Sequence, residues 1–227
     1  MFVGHFGVAF AGKKVAPTVP LPMLLVAAIL ADILWVIFLS AGIEHVAIRP
    51  GIMATNSLDL YDFALSHSLA TDLVWAALLA VFWYVYRRNG RGAWVLFVLV
   101  MSHWVLDFIS HRPDMPIAPG LHRYFGLALW NSWLATLVVE GGLWVAGIAL
   151  YLSATRARNS TSMIGFWFFV VLLTVAWLDS LKGTPPPSIR ALNVSNAVFL
   201  PILLLWAWWM ERTRPAVPDA RSATTAS

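Results

Sequence analysis

The sequence contains no cysteine among its 227 residues. Disulfide bonds and thiolate chemistry are therefore excluded together, and any bound metal ion must be held by nitrogen and oxygen ligands. Charge is also scarce, because only 11% of the residues are Asp, Glu, Lys or Arg, against about 25% in a typical soluble domain. Together with a hydrophobic fraction of 60%, this composition excludes a soluble globular protein.

The hydrophobic residues form continuous runs close to the roughly 20 residues that a helix needs to cross a bilayer. The sequence therefore predicts an all-α, polytopic membrane bundle with six transmembrane helices, preceded by a short re-entrant or interfacial helix at residues 1–12. Residues 1–210 are expected to form one domain. The predicted spans are 21–41, 65–86, 93–109, 127–152, 163–180 and 194–210.

Basic residues are concentrated in alternate loops, which indicates the orientation of the chain. By the positive-inside rule, both termini are predicted to be cytoplasmic. Residues 211–227 lack apolar periodicity and are predicted to be a disordered cytoplasmic tail. A membrane partner is expected and a nucleic-acid partner is not. The basic residues assigned to the cytoplasmic side are Lys13, Lys14, Arg87, Arg88, Arg91, Arg156, Arg158, Arg212, Arg214 and Arg221.

Several ionisable residues lie inside the predicted spans. An Asp at the centre of a membrane helix costs roughly 2.5–3.5 kcal/mol or more, so such residues usually face the protein interior and carry function. A single buried histidine is more often a packing residue than a ligand, but carboxylates and imidazoles at similar depth are not explained by packing. The residues concerned are Asp32, His67, Asp72, His103, Asp107 and Glu140.

The third predicted span carries the most regular pattern. His103, Asp107 and His111 follow one another at four-residue intervals, which keeps them on one helix face with a drift of about 40° per step. At about 1.5 Å per residue, Asp32 lies at a depth similar to that of His103, and His67 is placed to approach them from the outer side. Imidazole nitrogen and carboxylate oxygen together suit zinc, so the pattern predicts a zinc site.

Other polar residues are assigned roles around this site. Glu140 or Asp72 is predicted to orient a ligand or to act as general base, although Glu140 pairing with an Arg or Asn in the bundle is an equal alternative. Arg112 and Arg123 are placed to bind a phosphate, or else to anchor lipid headgroups. Ser66 and Ser68 are predicted hydrogen-bond donors to a substrate. Solvated outer loops are expected for Glu44, His45 and His122.

Four features, in their order along the chain, resemble the bacterial inner-membrane metal-dependent hydrolases, a family also described as LexA-binding. They are GHFGVAFAG at the start, an Asp in the first span, SHSL near the second and HWVLDFISH in the third. The likeness covers roughly the first 140 residues. It implies hydrolase activity, location in the bacterial inner membrane, and a ligand set to which His5 is added. The implied ligands are His5, Asp32, His67, His103, Asp107 and His111.

The ligand order is also similar to that of the zinc-dependent phospholipase C and nuclease family. That family continues with an HxxxE pair, where this sequence has Asn131 and Glu140 on the corresponding helix. We therefore expect one or two metal ions rather than three.

Two functions from different classes follow from this pattern. The first is a membrane-embedded metal-dependent hydrolase that acts on a phosphoester or other ester of a lipid-like substrate. The alternative is an ion- or proton-coupled transporter that uses the buried His and Asp residues as a cation site. A haem-binding electron carrier would use axial histidines, and the carboxylates among the histidines disfavour it.

Overall fold

The computed structural model describes residues 1–217, and that range is predominantly helical. Two short antiparallel hairpins interrupt the helices: β1 (His45–Ile48) pairs with β2 (Leu58–Asp62), and β3 (Met115–Pro116) pairs with β4 (Tyr124–Phe125). The predicted all-α membrane bundle is confirmed. Its helices are α1 (Val3–Val15), α2 (Leu21–Ala28), α3 (Leu30–Ser40), α4 (Ala64–His67), α5 (Leu69–Arg87), α6 (Gly90–Ser110), α7 (Trp133–Ala154), α8 (Ser160–Ser180) and α9 (Ile189–Thr213).

The membrane-spanning character of the chain rests on α5 to α9. In the described part of the chain these five helices are long and apolar enough to cross a bilayer. The first predicted span is instead the pair α2 and α3, which are bent by 63° at a break at Ile29. Counting the bent pair as one span gives up to six. Hydropathy detects the apolar stretch, but it carries no information about the bend.

Polar side chains fix the first residue of each long helix. Ser68, Asn89, Ser132, Asn159 and Ser188 each accept the backbone N–H of the residue three positions further along the chain. Such a cap satisfies one of the amide groups that the first turn of a helix leaves without a partner.

These caps correct two predicted boundaries. His67 does not open the second span, because Ser68 is extended and caps α5, which leaves His67 at the end of the separate one-turn helix α4. Likewise, the fourth span begins at Trp133 rather than at residue 127. The preceding residues include a 3-10 turn, Leu129–Asn131, so Asn131 is not on the helix that carries Glu140.

The N-terminal helix α1 lies inside the bundle, where it packs against α2, α6 and α7. Val3, Phe6 and Phe10 are buried, and so is His5. An interfacial helix would expose one face to water, so the interfacial alternative predicted for this segment is wrong. Burial of α1 brings His5 into the interior of the protein.

Glycines allow α1 and α7 to approach one another closely. A Cβ built on Gly7 would lie 2.6 Å from the carbonyl oxygen of Leu143, and a Cβ on Gly147 would overlap the backbone of Gly7. Small residues at such a crossing let two helix backbones pack directly against each other within a membrane.

Replacing Gly147 with alanine is expected to destabilise the bundle by about 1–3 kcal/mol, because the added methyl group would have to displace the backbone of α1. Tryptophan fluorescence during thermal unfolding in detergent measures this loss. Gly142→Ala is the matched control on the same helix, since a Cβ there meets no atom within 4 Å. Equal melting temperatures for the two variants would contradict the close approach of α1 and α7.

At the end of α1 remote from His5, a buried lysine joins three helices. The fully buried Nζ of Lys13 donates to both carboxylate oxygens of Glu211, at 2.7 and 2.9 Å, and to the carbonyl oxygen of Val19 at 3.0 Å. Glu211 also accepts the backbone N–H of Leu21, at the start of α2. Because Lys13 is fully buried, removing the Glu211 carboxylate would leave a buried charge without its ionic partner, which is strongly destabilising.

The disordered tail predicted for 211–227 therefore begins too early. Helix α9 continues to Thr213, and Ala216 forms a β-bridge with Thr155. These residues are ordered because Glu211 is paired with Lys13 and because Arg214 is buried next to Thr155. The rest of the predicted tail, 218–227, lies outside the described residues.

Candidate metal centre

Four of the predicted ligands lie around one point in the bundle. Nε2 of His103 lies 3.3 Å from Nε2 of His67 and 3.2 Å from Oδ2 of Asp107. Oδ1 of Asp32 lies 3.7 Å from Nε2 of His67 and 3.9 Å from Nε2 of His103. The four residues come from α3, α4 and α6, so the tertiary fold brings together ligands that are up to 75 positions apart in sequence.

The predicted stripe on α6 is present, although its last member is just beyond the helix. His103 and Asp107 lie on α6, and His111 is the residue that follows its last turn. Nε2 of His111 lies 3.8 Å from Oδ2 of Asp107. Oδ2 of Asp107 therefore lies within 4 Å of the Nε2 atoms of His67, His103 and His111.

His5 reaches the same carboxylate from the other side. Its Nε2 lies 3.1 Å from Oδ1 of Asp107, and its ring is stacked on that of His103 with 3.9 Å between the centroids. The Met1 amine also contacts Oδ1 of Asp107 and lies 3.1 Å from Nε2 of His5. Two groups of residues thus have atoms close enough to hold a metal ion, and they share His103: His5, His103 and Asp107, and Asp32, His67 and His103.

Hydrogen bonds to the opposite ring nitrogens orient three of these imidazoles. Nδ1 of His103 lies 2.9 Å from the carbonyl oxygen of Ala28, and Nδ1 of His111 lies 3.0 Å from Oδ1 of Asp114. A carbonyl oxygen and a carboxylate only accept hydrogen bonds, so each Nδ1 carries the proton. The Nε2 lone pairs of both rings are then free to bind a cation, as is usual in protein metal sites.

A buried carboxylate orients the third imidazole through a serine. Glu44 is 1% exposed, and its Oε2 accepts the hydroxyl hydrogen of Ser66 at 2.6 Å. The Ser66 oxygen lies 2.7 Å from Nδ1 of His67 and accepts the hydrogen of that nitrogen, which leaves Nε2 of His67 free. Burial lowers the pKa of the His67 side chain, and this favours the neutral form that binds metal ions.

Glu44 is therefore not on a solvated loop as predicted. Besides bonding Ser66, its Oε1 accepts the backbone N–H groups of Leu65 and Ser66, so the loop after α3 is tied to the start of α4. Sequence reasoning missed this role because nothing near Glu44 marks it as buried. Asp114 lies three residues after His111, and this spacing is a weak sequence signal for a carboxylate that orients the imidazole. The exposure predicted for His45 and His122 agrees with the structure.

The two arginines predicted to bind a phosphate have different surroundings. Arg112 is held by Asp114, with 3.0 Å from Nε to Oδ2, and by a contact between its Nη2 and Asp59. Arg49 approaches the other oxygen of Asp59 at 2.9 Å. Arg123 is exposed. Asp114 also bonds the His111 ring, so the ion pairs of Arg112 connect the β1–β2 hairpin to His111. They therefore help to position this predicted metal ligand.

The remaining predicted site residues lie close to the cluster but have different partners. The hydroxyl of Ser68 is engaged with Thr71 as the cap of α5. Asp72 is fully buried, and neither of its carboxylate oxygens has a hydrogen-bond partner among the described residues. Among residues 1–217, Glu140 pairs with neither Arg nor Asn. Its Oε2 accepts the backbone N–H of Phe2 at 3.0 Å, and its Oε1 accepts the indole N–H of Trp130 at 3.2 Å.

A small cavity of about 120 Å³ lies directly against the cluster and is lined by Asp32, His67, Asp107 and His111. The Asp32 side chain is 41% exposed, whereas those of His67, His103 and Asp107 are at most 6% exposed. The cluster is thus closed on most sides and open next to Asp32. A metal site that performs chemistry needs one such open position for water or substrate.

The fold and the site define a polytopic α-helical membrane protein with buried His and Asp residues that are able to hold a metal ion. No protein-family model, curated protein or solved structure matches the chain. The resemblance to the inner-membrane metal-dependent hydrolases therefore stays a prediction that rests on the motifs themselves.

Proposed function

We propose that the protein is a membrane-embedded, metal-dependent hydrolase that cleaves a phosphoester or other ester of a lipid-like substrate. The single observation that supports this most strongly is the convergence of the Nε2 atoms of His67, His103 and His111 on Asp107, with each Nδ1 held by an oxygen atom. Packing alone gives no reason to fix three imidazoles in the orientation that metal binding requires.

The first cation is proposed to be held by His67, His103, Asp107 and Asp32. His111 and His5 complete this site or form part of a second one. Nitrogen and oxygen donors in this mixture favour zinc. When bound, such an ion lowers the pKa of a water molecule to about 7 and offsets negative charge that develops on the substrate.

The residues around the cluster are assigned the remaining tasks. Glu140 is the proposed general base, since within residues 1–217 its carboxylate accepts two hydrogen bonds, from Phe2 and Trp130, and retains further acceptor capacity. Asp72 is the second candidate, because its buried oxygens have no partner in the described part of the chain. Arg112 is assigned to ligand positioning, and a substrate role for Arg123 and Ser68 remains a prediction.

The transporter alternative is favoured by one feature, the bend at Ile29. Broken helices next to buried ionisable residues occur at the ion sites of many transporters, and Asp32 lies three residues beyond this break.

Metal analysis combined with two assays on the same purified protein tests the proposal. We expect near-stoichiometric zinc or another divalent metal, hydrolysis of ester or phosphoester amphiphiles that stops after chelation and returns with added metal, and no cation flux in liposomes. Bound metal with flux and without hydrolysis would favour the transporter. Absence of bound metal would refute the hydrolase and leave only the proton-coupled form of the transporter.

A further inference from the structure

A second, larger cavity of about 430 Å³ adjoins the metal centre. It meets the small cavity at a junction, because several residues line both. Only the small cavity touches His67, Asp107 and His111, and only the larger one extends to α8 and α9. A ligand in the larger cavity would therefore come close to a bound metal ion at this junction. The residues that line both cavities are Met1, Asp32, Trp35, Asn56, Leu58 and Trp130.

Most hydrogen-bonding groups at the junction are already occupied or enclosed. The Met1 amine is engaged with three side chains, and the indole nitrogen of Trp130 donates to a carboxylate. The indole nitrogen of Trp35 is buried in the wall and has no surface that a ligand could reach. Asp32 is a proposed metal ligand, and an ionised carboxylate only accepts. Within residues 1–217, the side-chain donor that remains at the junction is the amide group of Asn56.

One hydrogen bond determines which atom of the Asn56 amide is free. Its Oδ1 accepts the backbone N–H of Leu58 at 2.9 Å, and a backbone N–H can only donate, so the amide oxygen must face it. The amide nitrogen, Nδ2, makes no hydrogen bond in the described part of the chain. Asn56 is only half-buried, and its Nδ2 is not sealed off by protein as the Trp35 nitrogen is. Its two N–H groups are therefore open to a ligand.

The loop between β1 and β2, which carries Asn56, is tied to the metal centre. The neighbouring Thr55 donates its backbone N–H and its hydroxyl hydrogen to the carbonyl oxygen of Trp130, at 3.0 and 3.1 Å. The Trp130 ring in turn packs against the His111 ring, with 4.6 Å between the centroids. A donor held in this way is positioned before a ligand arrives, so it needs little reorganisation to stabilise charge on a reacting group.

We propose that Asn56 is a substrate-binding residue whose Nδ2 donates a hydrogen bond to the ester oxygen that gains negative charge during hydrolysis. This oxygen is the carbonyl oxygen of a carboxylic ester or a non-bridging oxygen of a phosphoester, and both accept from an amide. The inference rests on the proposed function. In either reaction a water oxygen bonds to the acyl carbon or the phosphorus, and the bond to the alkoxy oxygen breaks. One water proton passes to the leaving alkoxide and the other to Glu140.

Replacing Asn56 with aspartate tests this role, because the acceptor for Leu58 remains while Nδ2 becomes an oxygen that cannot donate. The two substrates are p-nitrophenyl decanoate and the diester p-nitrophenyl decyl phosphate, and the one that the wild type cleaves faster identifies the kind of ester. For that substrate we expect kcat to fall by about 10²–10³-fold, as for other donors to a developing oxyanion. Bound divalent metal, measured by elemental analysis, should stay near-stoichiometric.

Ligand binding provides a measurement that does not depend on turnover. Decylphosphonate, whose P–C bond is not hydrolysed, is titrated into detergent-purified protein by calorimetry. We expect Asn56→Asp and Asn56→Ala each to weaken its binding about tenfold or more, because both lose the donor to a charged oxygen. The aspartate variant keeps the bond to Leu58 and the alanine variant adds no charge, so a loss in both identifies the donor. Asn131→Asp, the same change at an exposed residue, is the control and should bind like the wild type.

The outcomes distinguish this inference from the proposed function. If the wild type cleaves an ester but Asn56→Asp retains full kcat and phosphonate affinity, the role of Asn56 is wrong and the hydrolase proposal stands. If the wild type cleaves neither ester but binds the phosphonate through Asn56, the binding role stands and the hydrolase proposal fails. Absence of both cleavage and binding would overturn both. Loss of metal from folded Asn56→Asp protein, or an equal loss of affinity in Asn131→Asp, would also overturn the role of Asn56.

Discussion

Replacement of Asp107 or His103 with alanine is expected to reduce bound divalent metal from near-stoichiometric to background. Asp107 faces all four imidazoles of the cluster, because its Oδ2 lies within 4 Å of the Nε2 atoms of three histidines and its Oδ1 lies near His5. His103 belongs to both groups of atoms able to hold an ion. Removing either side chain takes away a ligand and leaves the other donors too few to compete with water.

The chain offers a matched control for this experiment. His45 and Asp62 form an exposed pair with 2.7 Å between Nδ1 and Oδ2, and neither belongs to the buried cluster. His45→Ala and Asp62→Ala remove the same chemical groups and should leave the metal content unchanged. Elemental analysis of detergent-purified protein measures the metal, and circular dichroism verifies that each variant is folded. Folded Asp107→Ala or His103→Ala protein with full metal content would refute the ligand assignment.

Changing Glu140 to glutamine is expected to preserve the metal content and lower kcat by about 10²–10⁴-fold, the usual contribution of a general base. Glutamine has the same shape, and its carbonyl oxygen still accepts one of the two hydrogen bonds. Its amide group cannot accept the other or take a proton from water. The bond to Phe2 or to Trp130 is therefore lost at a cost of about 1–3 kcal/mol, which a bundle of this size is expected to tolerate.

A second variant distinguishes catalysis from positioning at Glu140. Trp130→Phe removes the indole that donates to Glu140 while leaving the carboxylate in place. If Glu140 is the base, Trp130→Phe keeps most of the activity, whereas Glu140→Gln loses most of kcat with KM little changed. Equal losses in the two variants would show that Glu140 only holds α1 and Trp130 in position. Full activity of Glu140→Gln would remove the residue from the chemistry.

The ligands on α6 were the part of the site most accessible from sequence. His103 and Asp107 are one helical turn apart, and the helix geometry alone places them on one face. For Asp32 and His67 only an approximate depth in the membrane was predictable, because their convergence on His103 depends on the bend at Ile29 and on the separate helix α4. Neither feature has a hydropathy signature, so sequence predicted a continuous span in both places.

The residues that orient the ligands were mostly beyond sequence reasoning. Glu44 acts through Ser66 on His67, and Asp59 acts through Arg112 and Asp114 on His111. Both carboxylates lie in or near the β1–β2 hairpin, in a region of the sequence that is typical of an exposed loop. Their burial arises only when the hairpin packs over the end of the bundle.

The amino-acid sequence by itself determined that this protein is a helical membrane bundle, because the length and apolarity of a segment suffice to fix its preference for the bilayer. It also determined which residue types are present to bind a metal ion. The tertiary structure decided which nitrogen of each imidazole faces the cluster, and that a cavity adjoins it. These properties depend on contacts between distant segments, and a local pattern of residues cannot encode such contacts.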